Sequence, residues 1–507
     1  MAISSVFGTD FVRNFPFFAI MLYLAGGVTC CVLKPKASKL VCLLLNAAVT
    51  VMMLFTLSYT VRTGESYVFY MGHFPAPWGN EIRIGPAEAL LASVLTGVML
   101  LTLLGGMEHI FEDVEETKIS FYFTVSNLLM VSLLALVFTN DLFTGYVFVE
   151  INTIASCALV MIRYRSGRAL AATVRYLIMS LLGSGLFLIG IVILYGITGH
   201  LLMEPMHEVL SELVDSGEYR FPLTVVIGLF AVGMGLKSAL WPFHEWLPDA
   251  HGSATAASSG ILSGLVLKGY IILLIKIIYR VFGTELVRSS GVGNVLFAFG
   301  LAAMLAGSQC ALREKDLKRM LAFSSVAQIG YIYAGIGLGT AAGMTAALVQ
   351  IIAHAFTKPM LFSSAGAFMS VSGGSRQLKD LRGAGRRNVL AGAAFTVGAL
   401  SMIGIPLFAG FVTKLTLTQA VLQVPGWELY TGLAVIVLST VLNALYYLPV
   451  IGILFSREAE PRFASVHSRF DPEYVVSALL FIALNLFLGT CSDGFLSVIR
   501  IGLEHLA

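Results

Sequence analysis

Leu223-Thr-Val-Val-Ile-Gly-Leu-Phe230-Ala-Val-Gly-Met-Gly-Leu-Lys237-Ser-Ala-Leu-Trp-Pro242-Phe-His244 is an apolar helix pattern with one lysine inside it and a proline five residues further on. A lysine at mid-helix costs ~2.5–3.5 kcal/mol to place in a bilayer. The proline removes a backbone donor and frees carbonyls, which lipid cannot satisfy but protein or a wet cavity can. Outward from this stretch the composition stays the same. Of the 507 residues, 57% are apolar or aromatic and 12% are charged, with a mean hydropathy of +0.86. Soluble chains average about 25% charged residues, so this one cannot cover itself with polar surface. It reads as an all-α polytopic membrane protein.

Apolar runs long enough to cross, about 20 residues each, fall at 15–33, 40–60, 86–105, 120–138, 142–162, 173–198 and 221–243 in the first half. In the second they fall at 254–279, 291–311, 320–339, 342–371, 389–423, 428–455 and 474–497, making fourteen. Twenty of the 32 Lys and Arg fall in one alternate set of connections, Arg163, Arg165, Arg168, Lys318 and Arg319 among them. Seven, including Arg83, Arg280 and Arg500, fall in the other. Cytoplasmic loops hold the excess of basic residues, so the expected place is the inner cell membrane with both termini outside. The start carries Asp10 and Arg13 and leads directly into the first run, the pattern of a retained span.

Several function classes drop out. A net charge of +3 with no basic stripe gives nucleic acid no footprint. The six cysteines, at 30, 31, 42, 157, 310 and 491, form no CxxC, so no metal or iron–sulfur site is signalled. There is no phosphate loop, and Gly337-Leu-Gly339 lacks the third glycine of a dinucleotide site. No cofactor, metal or nucleophile–base constellation is therefore expected in this chain, and any redox chemistry belongs to a partner.

The remaining five basic residues, Lys237, Lys268, Lys276, Lys358 and Lys414, all lie inside predicted spans. Lys276 stands near a helix end and is expected to snorkel. For the other four the choice of lysine matters: a buried ammonium can give up its proton, whereas a guanidinium cannot. In Tyr146-Val-Phe-Val-Glu150-Ile-Asn-Thr153, Glu150 is the carboxylate set in apolar helix and the expected counter-ion. His244, His251 and His354 lie in or beside the same spans and are candidate proton relays. A single such Glu–Lys pair, or a lone histidine, is often structural glue; four lysines together multiply the insertion cost and require a use. The second break is Ile405-Pro406-Leu-Phe-Ala-Gly410-Phe-Val-Thr-Lys414. Breaks in helices seven and twelve, five spans apart, predict two inverted five-helix repeats, spans 4–8 and 9–13. The expected units are residues 1–118, 119–283, 284–456 and 457–507.

At these residues a resemblance appears. Leu236-Lys237-Ser-Ala-Leu-Trp-Pro242-Phe-His244-Glu-Trp246-Leu-Pro248-Asp249-Ala-His251 resembles the antiporter-like subunits of complex I, Mrp antiporters and membrane-bound hydrogenases. So do Leu267-Lys268-Gly269, Asp316-Leu-Lys318-Arg-Met-Leu-Ala-Phe-Ser324-Ser325-Val-Ala-Gln328-Ile-Gly330-Tyr331 and His354-Ala-Phe-Thr-Lys358-Pro-Met-Leu-Phe362. Phe74-Pro-Ala-Pro77-Trp-Gly79 and Val149-Glu150-Ile-Asn-Thr-Ile-Ala155-Ser156-Cys-Ala158-Leu159 resemble hydrogenase H-type and Mrp D-type subunits. In Glu81-Ile-Arg-Ile-Gly85-Pro86 the family's usual Asp is missing, and with few residues after span 14 the long lateral helix of one member is not expected.

The resemblance implies that Glu150 and Lys237 form a gating ion pair, with Lys268 the next station. His354 and Lys358 then belong to the eleventh span, and Lys414 is the exit site. It implies a proton-translocating subunit among other membrane subunits, including a neighbouring antiporter-like or small membrane subunit, with peripheral redox subunits attached. The alternatives are a Na⁺ or K⁺/proton antiporter subunit and a scaffold that does not transport.

Overall fold

Helix ends are where a lipid-embedded chain is most exposed to cost, because four N–H and four C=O groups at each end lack intrahelical partners. This sequence supplies caps at them. Asp141 accepts from Thr144 N–H at 2.6 Å, Asp316 from Lys318 N–H at 2.9 Å, and Thr340 from Gly343 N–H at 3.1 Å. Prolines open the Pro35–Thr63, Pro86–Gly105 and Pro472–Thr490 helices, where a missing N–H costs nothing.

The computed structural model describes residues 9–74, 79–216, 219–457 and 471–506. Residues 75–78 of the Phe74–Gly79 motif, and Arg462 and Arg469 of the loop count, lie outside them. Among the described residues 13 helices are long and apolar enough to span a membrane. They coincide with the predicted runs, and the twelfth run accounts for the difference. It is split into Val389–Ile403 and Ala409–Leu422, each too short to cross alone.

The two breaks differ in form. Arg220–Lys237 ends at Lys237 rather than continuing toward 243, and the chain resumes as a short helix, Trp246–Ser253. Pro242 lies in the non-helical 238–245 stretch between them. In the twelfth run the break spans 404–408 and contains Pro406. Its free N–H groups are met locally: Gly404 N–H donates to Leu400 O at 3.0 Å, Gly410 N–H to Ser401 Oγ at 3.1 Å, and Ala409 N–H to Asn485 Oδ1 at 3.3 Å.

Burial sorts the helices into a centre and a rim. Ala256–Ser289, Leu317–Gly337 and Ala341–Ser370 are enclosed along nearly their whole length. Pro35–Thr63, Gly167–Thr198, Trp427–Leu454 and Pro472–Thr490 keep much of their apolar surface outward, as Val192 and Val437 show. Small residues let the central backbones approach. A Cβ on Gly300 would stand 2.5 Å from Ala334 N, and one on Gly183 would stand 2.7 Å from Gly233 O. A two-stranded hairpin, Tyr67–Tyr70 with Glu81–Ile84, is the only sheet among the described residues.

Three basic residues are not where the sequence suggested. Lys276 does not snorkel: its Nζ donates to Val137 O at 2.8 Å and to Thr139 O, capping the end of Glu116–Phe138. Arg280, counted with the loops, is buried and paired with buried Glu88 at 2.5 Å. Lys318, also counted with the loops, is 2% exposed. In each case a distant part of the chain meets a side chain that looks peripheral along its own helix: residues 137–139 for Lys276, Glu88 for Arg280 and Ala254 for Lys318.

Candidate functional site

Two of the enclosed helices carry Lys268, Lys358 and His354, and the helices beside the two breaks carry Lys237, His251 and Lys414. Lys237, Lys268, Lys358, His251 and His354 are all 0% exposed, and Lys414 is 8% exposed. They fall into three groups.

The first lies at the end of Arg220–Lys237. Lys237 Nζ donates to Thr153 Oγ1 at 2.7 Å and sits 5.3 Å from the Tyr270 ring centroid. Thr153 Oγ1 is 3.4 Å from Tyr270 Oη, which donates to Asn152 Oδ1 at 3.3 Å. Gly183 makes room for the lysine stem; a Cβ there would meet Lys237 Cγ at 3.0 Å. Glu150 is half-buried and acts on Lys237 electrostatically, but no ion pair within 4.0 Å joins them among the described residues. The predicted gating pair is thus not in direct contact here: Thr153, on the same helix, stands where the carboxylate was expected.

The second group is the centre. Lys268 Nζ donates to Ser263 O, the carbonyl of a π-helical turn, Leu262–Val266, in the eighth span. Such turns release carbonyls from the regular ladder. The turn faces Pro359; a Cβ on Gly264 would meet Pro359 Cγ at 2.5 Å. His251 stacks on Phe362 at 4.9 Å, and both ring nitrogens of His251 and of His354 lack a protein partner among the described residues. Lys268, Lys358 and His251 all act electrostatically on His354. His244 is not part of this group; its ring packs edge-on against Phe323 at 6.3 Å in the stretch between the helices.

The third group runs from Lys358 to Lys414. Lys358 Nζ donates to Leu321 O at 2.8 Å and to Ser324 Oγ. Ser324 Oγ lies 3.0 Å from Tyr447 Oη, and Ser325 Oγ lies 2.9 Å from Ser263 Oγ. On the same helix as Tyr447, Asn443 donates to Met402 O at 3.3 Å, and Thr440 accepts from Lys414 Nζ at 2.9 Å. Lys414 also donates to Ile403 O at 2.5 Å, the last carbonyl before the break, and lies 5.4 Å from the Tyr331 ring.

Sequence reasoning found the lysines and missed the hydroxyls between them. Thr440, Asn443 and Tyr447 recur at i, i+3 and i+7, a polar stripe along an apolar span. That stripe, and the Ser324-Ser325 pair, were readable signals.

Buried amines, separated by hydroxyl and imidazole groups and flanked by two helix breaks, accompany the fold of an antiporter-like, multi-pass membrane protein. Residues 139–443 match the family described as NADH:quinone oxidoreductase/Mrp antiporter, transmembrane, and the chain belongs to that family. It is 35% identical over 397 residues to NADH-quinone oxidoreductase subunit N of Desulforudis audaxviator, covering 78% of this chain and 76% of that one. Its fold matches a chain of the archaeal membrane-bound sulfane sulfur reductase, with a TM-score of 0.84 at 24% identity, over 98% of this chain and 97% of that one. The same values hold for a chain of the Mrp complex from Dietzia sp. DQ12-45-1b.

Proposed function

We propose that this chain carries protons across the inner cell membrane as one membrane module of a larger respiratory-type complex. The observation that carries the reading is the row itself: buried amines at Lys237, Lys268, Lys358 and Lys414, with Thr153, Ser324 and Thr440 at hydrogen-bond distance of Lys237, Lys358 and Lys414, and Tyr447 within hydrogen-bond distance of Ser324. Four buried ammonium groups held at once would repel one another; an amine that loads and unloads in turn avoids that cost.

In the proposed cycle Lys237 is charged while Glu150 is near. When a neighbouring membrane subunit draws Glu150 away, the proton passes to Lys268, then by His354 and Lys358 to Lys414 and out. The units 119–283 and 284–456 act as the two inverted halves, with both termini outside. Against ~150 mV, one charge costs about 3.5 kcal/mol. At ~1.36 kcal/mol per pH unit, that equals about 2.5 pH units of proton affinity, a size that one lost counter-ion in low dielectric supplies. A partner of the nickel–iron hydrogenase type would place the complex in the hydrogenase branch.

The test is the complex with its native partners in proteoliposomes. Glu150→Gln and Lys237→Met are expected to cut proton transport coupled to the partner's reaction. Undiminished transport in both would overturn the reading. A ΔpH that appears only with Na⁺ would transfer it to cation exchange.

A further inference from the structure

Outside the row, a cavity of about 430 Å³ opens on the face that bears the 163–168 connection. Charged side chains frame it. Asp249 pairs with Arg175 at 2.7 Å and with Arg319 at 2.6 Å, Arg319 also with Glu314 at 2.9 Å, and Arg376 with Asp316 at 3.2 Å. Burial alone would raise the Glu314 carboxyl. The hydrogen bond from Arg319 and the backbone N–H groups of Asp316 and Lys315 outweigh it and hold the group below its ordinary value. Glu314 therefore stays ionised at neutral pH on a cavity wall built of charged side chains.

The short helix Trp246–Ser253 closes the inner end. Gly252 O accepts from Arg376 and Ser253 lines the cavity. One residue earlier, His251 belongs to the buried centre. Lys318 stands between the two environments. Its backbone N–H donates to Asp316 Oδ1 of the cavity wall, while its Nζ is buried and donates to Ala254 O at 2.5 Å. It acts electrostatically on His251, as do Lys358 and Lys268. Arg175, Arg319 and Arg376 of the cavity are ion-paired; Lys318 has no ion-pair partner among the described residues. It is thus a buried amine, a group able to release a proton, set between a charged cavity and an imidazole whose two nitrogens have no protein partner among the described residues.

We propose that this cavity is the loading vestibule of the central row and that Lys318 passes protons from it to His251. The free amine of Lys318 takes a proton from cavity water. The resulting ammonium gives it to the neutral His251 imidazole, with water bridging any gap longer than a hydrogen bond. The imidazolium gives it to the Lys268 amine, and Lys318 and His251 return to their starting states. This rests on the proton-carrying reading of the row.

The test uses the same proteoliposomes with three variants. Lys318→Arg keeps the charge and the donor to Ala254 O but cannot release a proton. At least a tenfold loss of transport, with assembly and Tm as in the parent, is expected; full transport overturns the relay. Ser253→Cys, treated from the cavity side with a membrane-impermeant cationic thiosulfonate, should lose at least nine-tenths of its transport, while the treated parent, with Cys31 and Cys491 exposed, keeps its own. No inhibition overturns the vestibule, and this arm decides should Lys318→Arg fail to assemble. Lys237→Met, run alongside, separates the two readings. If it transports normally, the proton-carrying reading falls. If it stops transport while Lys318→Arg does not, only the present inference falls.

Discussion

Lys237 and Lys414 occupy matching places in the seventh and twelfth runs, yet they are held differently. Lys237 ends its helix and reaches sideways to Thr153 on another helix, with Glu150 in electrostatic range. Lys414 begins after its break and folds back onto Ile403 O, with Thr440 beside it and no carboxylate within ion-pair distance among the described residues. A side-chain carboxylate can move and change the charge balance at one site. A carbonyl at the end of a helix is fixed, so the second site keeps a constant preference for a cation. The lesson is that one lysine has a movable carboxylate in electrostatic range and the other a fixed carbonyl, which under the proposed cycle suits the first to switching and the second to receiving.

The strongest test of that difference removes each amine in turn. Lys237→Met and Lys414→Met should each bring coupled proton transport down at least 100-fold, measured with a pH-sensitive dye inside vesicles. Neither should lower Tm, since neither lysine has an ion-pair partner within 4.0 Å among the described residues that its loss would leave as an uncompensated buried charge. Retained transport in Lys414→Met would remove it from the route. Next come the glycines that make room for the two stems. Gly404 has φ +93, and a Cβ there would meet Lys414 Cδ at 2.7 Å. Gly404→Ala should cost about 1–2 kcal/mol in strain and cut transport roughly tenfold by displacing the amine. Gly183→Ala instead presses on Gly233 O, so its main effect should be a lower Tm.

A smaller effect is expected from the hydroxyls. A hydrogen bond to a charged group contributes ~1.5–3 kcal/mol, part of which water restores at these sites. Thr153→Val should slow transport more than Thr440→Val, because Lys414 keeps Ile403 O while Lys237 loses the one acceptor it has among the described residues. Equal losses would erase the contrast. The smallest concerns the cavity rim. The Glu314 carboxyl sits below its ordinary value in the folded protein, so its contribution is complete above about pH 4.3 and fades as pH falls through the folded value. Glu314→Gln should cost under about 1 kcal/mol at neutral pH, with the difference in Tm vanishing in acid.

Much of this molecule is legible along the chain. Hydropathy marks the spans because a membrane helix must satisfy its own backbone, and Pro242 and Pro406 mark the breaks because proline lacks an N–H. The five interior lysines stand out because nothing else in an apolar run costs as much. Contacts across helices were not legible. Lys276, Arg280 and Lys318 look peripheral by their distance from a helix end, and neighbouring helices bury all three.

The sequence by itself determined the class, the apolar runs and the five lysines set inside them, since these follow from local hydropathy and helix length. Only the tertiary structure decided that Thr153 rather than Glu150 touches Lys237, that hydroxyls lie between Lys358 and Lys414, and that Lys318 stands behind a charged cavity. Those facts depend on which faces of distant helices meet, and a helix's own sequence fixes its apolar stripe without naming the residue across from it.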